Sequence, residues 1–248
     1  MQLHLMTWLE VEAYLRTKKG IIVPLGSTEQ HGPTGLIGTD CICPEFIAQR
    51  AGHEAGIIVG PTFSVGSAQH HMSFPGSMTL RPSTMVAALY DWIMSLKRHG
   101  FEKIYFLNGH GGNVSSAEAA ITEVYAHRSL EPAAAHSTNV HCKLQNWWML
   151  KDVFSLCKEL FPKGHGSHAT PSEVAVSYFA YPEAIKSAPL EPKIAPDGPI
   201  RDAADYRQRF PDGRIGSDPS LATPELGEKI VDRAVSALIE SYDAFLKE

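Results

Sequence analysis

Short β-branched runs alternate along the chain with longer stretches whose apolar residues recur at helical spacing. Apolar runs at 21–25, 57–59 and 104–107 are flanked mainly by glycine, proline and polar residues, which is typical of buried strands. A fourth strand is predicted near 133–140. Helical spacing predicts helices around these strands, at 7–18, 40–55, 82–99, 114–127, 144–160 and 224–247.

This alternation predicts an α/β fold, a single-domain layered structure over residues 1–248 with a mostly parallel central sheet flanked by helices. A chain of 248 residues that is 44% hydrophobic can bury one large core. In open sheets of this kind, ligands bind beyond the carboxyl ends of the strands. The loops after the first and third strands start from such ends, and we therefore expect them to converge.

Capping residues and composition mark several boundaries between helices and irregular segments. Thr7 and Thr223 are suited to cap helices, and Pro82 and Pro224 suit a first helical turn. Segments rich in glycine, proline, histidine or aspartate are predicted to lack regular structure, at 61–81, 163–173 and 185–222.

Charge and cysteine content exclude several classes of protein. The net charge of -5 is spread without long runs of one sign, and no basic stripe indicates nucleic-acid binding. The four cysteines form no CxxC pair, which favours a reduced, cytoplasmic setting. The N-terminal stretch does not have the pattern of a secretory signal. No apolar run approaches the roughly 18 residues of a membrane span.

The loop after the first strand combines two carboxylates and an imidazole. It reads GSTEQHGP from residue 26 and reaches GTD at 38–40, so that it contains Glu29, His31 and Asp40. Such ligands suit zinc, manganese or iron, and a carboxylate such as Asp40 can bridge two cations. Taken alone, residues of this kind are more often polar positions of a solvated loop.

The loop after the third strand strengthens the metal interpretation. Its sequence, NGHGGN at 108–113, places His110 among glycines directly before a helix. Glycines leave backbone N–H groups free to face a ligand, and a helix N-terminus favours negative charge. A nucleotide-phosphate loop is the alternative, but both the GK[ST] ending and the GxGxxG pattern are missing.

A third segment, GHGSHA at 164–169, precedes Glu173. Glu173 is a candidate to complete a metal shell. His168 is a candidate general acid or base, because an ordinary histidine titrates near neutral pH. A flexible surface loop explains the segment about equally well.

Together these motifs resemble those of the creatininase (creatinine amidohydrolase) family. Besides GSTEQHGP, GTD and NGHGGN, the stretch HMSFPG at 71–76 resembles the family's HxxFPG loop, and GSDPSLAT at 216–223 resembles its GDPxxAT segment. The resemblance covers nearly the whole chain, from about residue 7 to 245. It implies a two-metal hydrolase on an α/β sandwich, assembled as a homo-oligomer that is often a hexamer in the family.

The resemblance also implies roles for individual residues. Glu29 and His110 would hold one divalent ion of zinc, manganese or iron, His31 would hold the other, and Asp40 would bridge both. The family's C-terminal HAGExE motif places a histidine at His168 and a glutamate at Glu173. These two residues are the catalytic candidates.

Two positions depart from the family pattern. Creatininase itself has a glutamate ligand where this chain has Gly112, so that Glu173 would have to supply that ligand. HATPSE replaces HAGExE, which puts Thr170 and Pro171 at the motif's glycine and first glutamate. His168 is then the best remaining candidate for a proton shuttle.

The resulting hypothesis is hydrolysis of a C–N amide bond in a small or cyclic amide such as creatinine, by water activated between two metals. The alternatives are a formamide deformylase for a pyrimidine-type substrate, a metal-binding homologue that has lost catalysis, and a structural module without metal. Seven residues are candidates for binding the substrate, and two of them are tryptophans whose presence is explained at least as well by packing. The candidates are His71, Gly76, Ser77, Gly111, Gly112, Trp147 and Trp148.

Overall fold

Four parallel strands form one sheet in the computed structural model, which describes residues 1–130 and 139–248. The strand order is β2–β1–β3–β4, and every pairing is parallel. The predicted α/β fold with a parallel central sheet flanked by helices is therefore confirmed. The strands are β1 (Gly20–Leu25), β2 (Ile58–Val59), β3 (Lys103–Asn108) and β4 (His141–Asn146).

Helices cover both faces of this sheet. In the described ranges they are α1 (Trp8–Leu15), α2 (Thr39–Glu54), α3 (Pro82–Arg98), α4 (Val114–Leu130), α5 (Val153–Leu160), α6 (Pro171–Ala180), α7 (Ala203–Arg209) and α8 (Pro224–Phe245). None of them is long and apolar enough to cross a bilayer.

Alternate residues of the central strands face opposite helical layers. Ile21 and Val23 of β1 pack in the cluster formed with α1, α3 and α4. Ile22, between them, packs in the cluster formed with α2, α5, α6 and α8. Because both faces of the sheet are covered, every residue of β1 is buried. The continuous apolar run in the sequence reflects this two-sided burial.

The register of the strands places three chain segments at one edge of the sheet. Leu25, the last residue of β1, pairs with Asn108 of β3, and Asn108 pairs with Asn146 of β4. The side-chain amide of Asn108 also donates to Asn146 Oδ1 at 2.8 Å. The loops after β1 and β3 and the turn after β4 therefore begin side by side.

The predicted helix boundaries at both ends of the chain agree with the structure. Thr7 caps α1 through a reciprocal capping box with Glu10. Thr223 caps α8, and proline occupies the first turn of both α3 and α8.

The prediction was wrong around β4. The stretch predicted as one helix at 144–160 contains the end of β4, a 3₁₀ turn at Trp147–Met149, and α5 only from Val153. Cys142 and Leu144 pack towards the α1, α3 and α4 layer, while the residues that alternate with them, His141, Lys143 and Gln145, are polar. This two-residue period fits a strand at the edge of the sheet. Most of the strand predicted near 133–140 lies outside the described residues.

Two segments predicted as irregular contain helices. Helix α6 begins at Pro171, inside the predicted 163–173 loop, and α7 lies inside 185–222. Thr170 and Glu173 form a capping box around the proline. A T-x-x-E pattern with proline at the first helical position is a sequence signal for a helix start.

A close approach of α6 and α8 generates a stability prediction. A Cβ atom added at Gly227 would lie 2.0 Å from the backbone oxygen of Ala175. Gly227→Ala should force the helices apart and lower the free energy of unfolding by about 1–3 kcal/mol, as measured by urea denaturation. Glu228→Ala, at the next and exposed position, should change it by less than about 0.5 kcal/mol. Equal losses in both variants would contradict this packing.

Candidate metal centre

All five predicted metal-ligating side chains meet beyond the carboxyl edge of the sheet. Their ligand atoms form two groups, Glu29 with Asp40 and His110, and His31 with Asp40 and Glu173, and a third group joins Glu29 and His31 to His168. Within each group the atoms lie within 4.8 Å of one another. The side chain of Glu173 is 16% exposed, and the others are more deeply buried. Such buried clusters of histidine and carboxylate side chains suit a binuclear metal site.

Asp40 connects the two groups because its two carboxylate oxygens face different histidines. Oδ1 lies 3.1 Å from Nε2 of His31, and Oδ2 lies 3.0 Å from Nδ1 of His110. The carboxylate extends from the first turn of α2, directly beyond the β1 loop. A rigid helix therefore holds the shared group.

A backbone contact determines which nitrogen of His110 carries the proton. Nε2 lies 3.1 Å from the carbonyl oxygen of Ser67 and donates to it. In the neutral imidazole the lone pair is then on Nδ1, which faces Glu29 Oε1 at 3.2 Å and Asp40 Oδ2 at 3.0 Å. Electron pairs on three atoms thus point towards one place, an arrangement that requires positive charge between them.

His31 repeats this arrangement in the second group. Its Nδ1 lies 3.1 Å from the backbone oxygen of Glu29 and donates to it. Its Nε2 faces Asp40 Oδ1 at 3.1 Å and Glu173 Oε1 at 3.9 Å. Hydrogen bonds that orient histidines in this way are usual around protein-bound metals.

Two buried oxygens support the fit to cations. Glu29 Oε1 and Asp40 Oδ2 are buried and make no hydrogen bond to a described residue. Two atoms bound to one tetrahedral zinc ion, each about 2.0–2.1 Å from it, lie about 3.4 Å apart. The distances from His110 Nδ1, 3.2 Å to Glu29 and 3.0 Å to Asp40, are close to that spacing. The donor set and its geometry therefore fit divalent ions.

The pKa values of the clustered side chains also indicate that positive charge stabilises this arrangement. Burial alone would raise the pKa of Glu29, but the imidazoles of His110 and His71 outweigh burial and hold the pKa well below its usual range. Burial lowers the pKa of His31, but Asp40 outweighs burial, so that the pKa rises to about 10. Protons or metal cations must balance the buried carboxylates.

Glu173 has a structural role in addition to its place in the cluster. Its Oε1 accepts a hydrogen bond from the backbone N–H of Thr170 at 2.6 Å, within the capping box of α6. Burial raises the pKa of Glu173 to about 7, although His31 acts in the opposite direction. The helix start thus positions this carboxylate towards His31.

Gly112 leaves no room for a side chain. A Cβ atom there would lie 2.4 Å from His110 Nε2 and 2.5 Å from the backbone oxygen of Ser67. At the preceding Gly111, a Cβ atom would meet nothing within 4 Å. The glycine that departs from the creatininase pattern therefore protects the hydrogen bond that orients His110.

His168 lies beside the cluster and is tied to the β1 loop. Its Nε2 donates to the backbone oxygen of Gln30 at 2.8 Å, and its Nδ1 lies 3.9 Å from Glu29 Oε1. Burial and the neighbouring His31 lower the pKa of His168 well below its usual value. The imidazole is therefore neutral, with an unprotonated Nδ1 on the side of the carboxylates.

The sequence analysis missed the role of Gln30. Its Oε1 accepts the backbone N–H of Gly32 at 2.8 Å, and its amide nitrogen lies 3.0 Å from both His71 Nδ1 and the backbone oxygen of Gly213. His71 Nε2 is in turn 3.0 Å from Glu29 Oε1. Gln30 thus connects a distant loop to a ligand, and its only sequence signal is its place in GSTEQHGP.

A cavity of about 530 Å³ opens beside the cluster. It is lined by most of the predicted substrate-binding residues, by His168, and by Asp40, His110 and Glu173 of the cluster. Trp147 is buried in the core as well as lining the cavity, whereas Trp148 is partly exposed. The predicted residues that line it are His71, Gly111, Gly112, Trp147 and Trp148.

Gly76 and Ser77 lie outside the cavity lining. Ser77 Oγ accepts the backbone N–H of Gln30 at 3.1 Å, so that this serine positions the β1 loop. Gly76 has a φ of 92°, a conformation that favours glycine. In the HMSFPG stretch and the serine that follows it, His71 lines the cavity, whereas Gly76 and Ser77 do not.

Further lining residues were not singled out by the sequence analysis. The 185–222 region contributes an apolar wall, and the loop before α3 contributes an additional histidine. Their separation along the chain hid them from motif analysis. They are His70, Phe154, His165, Pro199, Ile200, Tyr206 and Ile215.

Comparison with known proteins decides the family. The profile of the creatininase family, described as creatinine amidohydrolase, matches residues 4–242. The chain belongs to the creatininase family. This result confirms the resemblance seen in the GSTEQHGP and NGHGGN motifs.

Individual family members are similar at low identity and differ in their described activities. Creatinine amidohydrolase of Pseudomonas putida is 27% identical over 190 residues, which is 73% of this chain and 72% of that protein. The 3-dehydro-scyllo-inosose hydrolase of Thermotoga maritima is 25% identical, covering 95% and 75%. A mycofactocin precursor peptide peptidase of Mycolicibacterium smegmatis is 32% identical over 107 residues, covering 41% and 43%.

Solved structures show that the fold is shared. A crystal structure of creatinine amidohydrolase superposes with a TM-score of 0.83 at 23% identity and covers 97% of this chain and 95% of that one. A structure described as the manganese form of creatininase gives the same TM-score, 0.83, at 23% identity over 97% and 96% of the two chains.

The neighbouring glycines of the β3 loop provide a matched test of the cluster. Gly112→Ala should displace His110 and lower the content of bound divalent metal, because the added methyl group would overlap His110 Nε2 and Ser67 O. Gly111→Ala should retain the wild-type metal content. The measurement is elemental analysis of protein purified without chelator. Full metal content in Gly112→Ala would contradict the geometry described for His110.

Proposed function

We propose that this protein is a metal-dependent hydrolase of C–N amide bonds in small molecules, with two divalent ions of zinc, manganese or iron per chain. One ion is assigned to Glu29, Asp40 and His110, and the other to His31, Asp40 and Glu173. The observation that carries the proposal is the position of Asp40, whose two oxygens face histidine nitrogens of different groups.

The protein's own side chains provide the remaining parts of a hydrolytic site. When bound, the divalent ions supply a water of lowered pKa and a Lewis acid for the amide carbonyl. His168 is proposed to take up a proton at Nδ1 and to return it to the leaving nitrogen, because Gln30 fixes its other nitrogen as a donor. Glu173, beside the same cavity, is proposed as a second proton-transfer group as well as a ligand. Backbone N–H groups of Gly111 and Gly112 are candidates to stabilise an oxyanion.

The cavity supports a small amide substrate. Its volume of about 530 Å³ suits a compact molecule. Trp147 and Trp148 offer aromatic surface to a planar or cationic group. Creatinine, the substrate named for the Pseudomonas putida relative, has these properties.

Gly112 favours a second candidate, a formamide deformylase acting on a pyrimidine-type substrate. The absence of the glutamate that creatininase has at this position argues against creatinine itself. A homologue that retains metal but lacks turnover is the remaining alternative, since Thr170 and Pro171 replace two residues of the family's HAGExE motif. Assembly as a homo-oligomer, with the hexamer found in the family, stays a prediction.

Replacing the shared carboxylate tests the metal assignment. Asp40→Asn keeps the size of the side chain but removes its charge, and it should abolish binding of both ions. Glu173→Gln should remove one ion. Asp91→Asn, on the exposed surface of α3, is the matched control and should retain both. The readout is metal per chain by elemental analysis. Retention of two ions in Asp40→Asn would refute the bridging role.

A substrate panel tests the reaction. We expect hydrolysis of at least one member of a set containing creatinine, a formamidopyrimidine, a cyclic ureide and a short peptide, detected by mass spectrometry of the products. Dialysis against a chelator should abolish the activity, and added zinc or manganese should restore it. Activity that survives complete removal of metal would contradict the proposal, and metal binding without any turnover would favour the catalytically impaired homologue.

A further inference from the structure

One histidine of the cavity has no explained role. His70 precedes His71 in the 3₁₀ turn Gln69–His71, lines the cavity and is only partly buried. Its ring lies 4.3 Å from that of His71, measured between centroids. It also lies nearly parallel to the rings of His110 and Tyr206, at 6.0 Å from each.

The other histidines that line the cavity all have polar partners. His71 contacts Glu29 and Gln30, and His110 contacts Glu29, Asp40 and Ser67.

His165 lies 2.9 Å from Ser172 Oγ, and His168 lies 2.8 Å from the oxygen of Gln30. The imidazole of His70 makes no hydrogen bond to any residue in 1–130 or 139–248. Its donor and its acceptor therefore remain available to a molecule in the cavity.

His70 is also absent from each group of possible metal ligands among the described residues. Packing alone does not call for an imidazole at this place, because a phenyl ring could pack beside the rings of His71, His110 and Tyr206 without leaving polar atoms unpaired. The combination of a cavity position, a nearby ligand cluster and unpaired nitrogens indicates contact with substrate.

We propose that His70 is a substrate-binding residue whose imidazole hydrogen-bonds a polar atom of the bound amide and orients the amide against the ligand cluster. The proposal rests on the proposed hydrolase function for the identity of the ligand. It adds a specificity-determining contact from a residue that lies outside the HMSFPG motif, immediately before its histidine.

Three variants separate hydrogen bonding from packing and from metal binding. His70→Phe keeps a ring of similar size and removes both nitrogens, whereas His70→Gln restores a donor and an acceptor. His99→Phe, at an exposed position after α3, is the matched control. Each holoprotein is titrated calorimetrically with creatinine and the other panel amides, its metal per chain is determined, and kcat and KM are measured for any amide that is hydrolysed.

We expect His70→Phe to retain full metal content and to bind the preferred amide about tenfold more weakly, the effect of losing one hydrogen bond at a sheltered site. His70→Gln should recover part of this loss, and His99→Phe should match the wild type. If His70→Phe binds the amide more weakly than the wild type does, but the wild type hydrolyses no panel amide, the role of His70 is supported and only the hydrolase function is refuted.

Several results would overturn the proposal. The first is an unchanged amide affinity in His70→Phe, and the second is an equal loss of affinity in His70→Phe and His70→Gln. The third is loss of metal from His70→Phe, and the fourth is failure of the wild type to bind any panel amide. Normal wild-type hydrolysis together with unchanged kinetics in His70→Phe would refute the role of His70 and leave the hydrolase function intact.

Discussion

The convergence of three largely buried carboxylates on two oriented imidazoles is the constraint on which the rest of the site depends. Carboxylates at such distances repel one another unless positive charge lies among them. Ser67 and the backbone of Glu29 orient His110 and His31 so that, in the neutral imidazoles, the lone pairs face the acids. The chain thus presents an arrangement that is unfavourable in isolation and favourable around cations.

The fold provides this arrangement through rigid elements. Parallel pairing brings the ends of β1, β3 and β4 to one edge. The first turns of α2 and α6 then supply Asp40 and Glu173 from distant parts of the sequence. Because Glu173 is held by the capping box of its own helix, the position of one ligand depends on local helix formation as well as on tertiary packing.

Much of the fold and the five side chains that cluster at the candidate metal centre could be predicted from the sequence, because both leave local signals. Buried strands appear as apolar runs, and Glu29, His31 and His110 lie in short motifs rich in glycine. The fourth strand was predicted too early in the chain, because the alternation of apolar and polar residues at 141–146 is weak. The start of α6 was missed because the glycine and histidine content of 163–173 was given more weight than the capping box. Gln30 could not be assigned because its partners come from remote loops, and His70 could not be assigned because its place in the cavity depends on the tertiary fold.

Crystals of the protein purified without chelator would test the central claim most directly, by anomalous scattering at the zinc and manganese absorption edges. The account predicts two peaks about 3.5–4 Å apart, one beside Glu29 and His110, the other beside His31 and Glu173, with one oxygen or both oxygens of Asp40 between them. A single peak, or two peaks that do not share Asp40, would contradict the account.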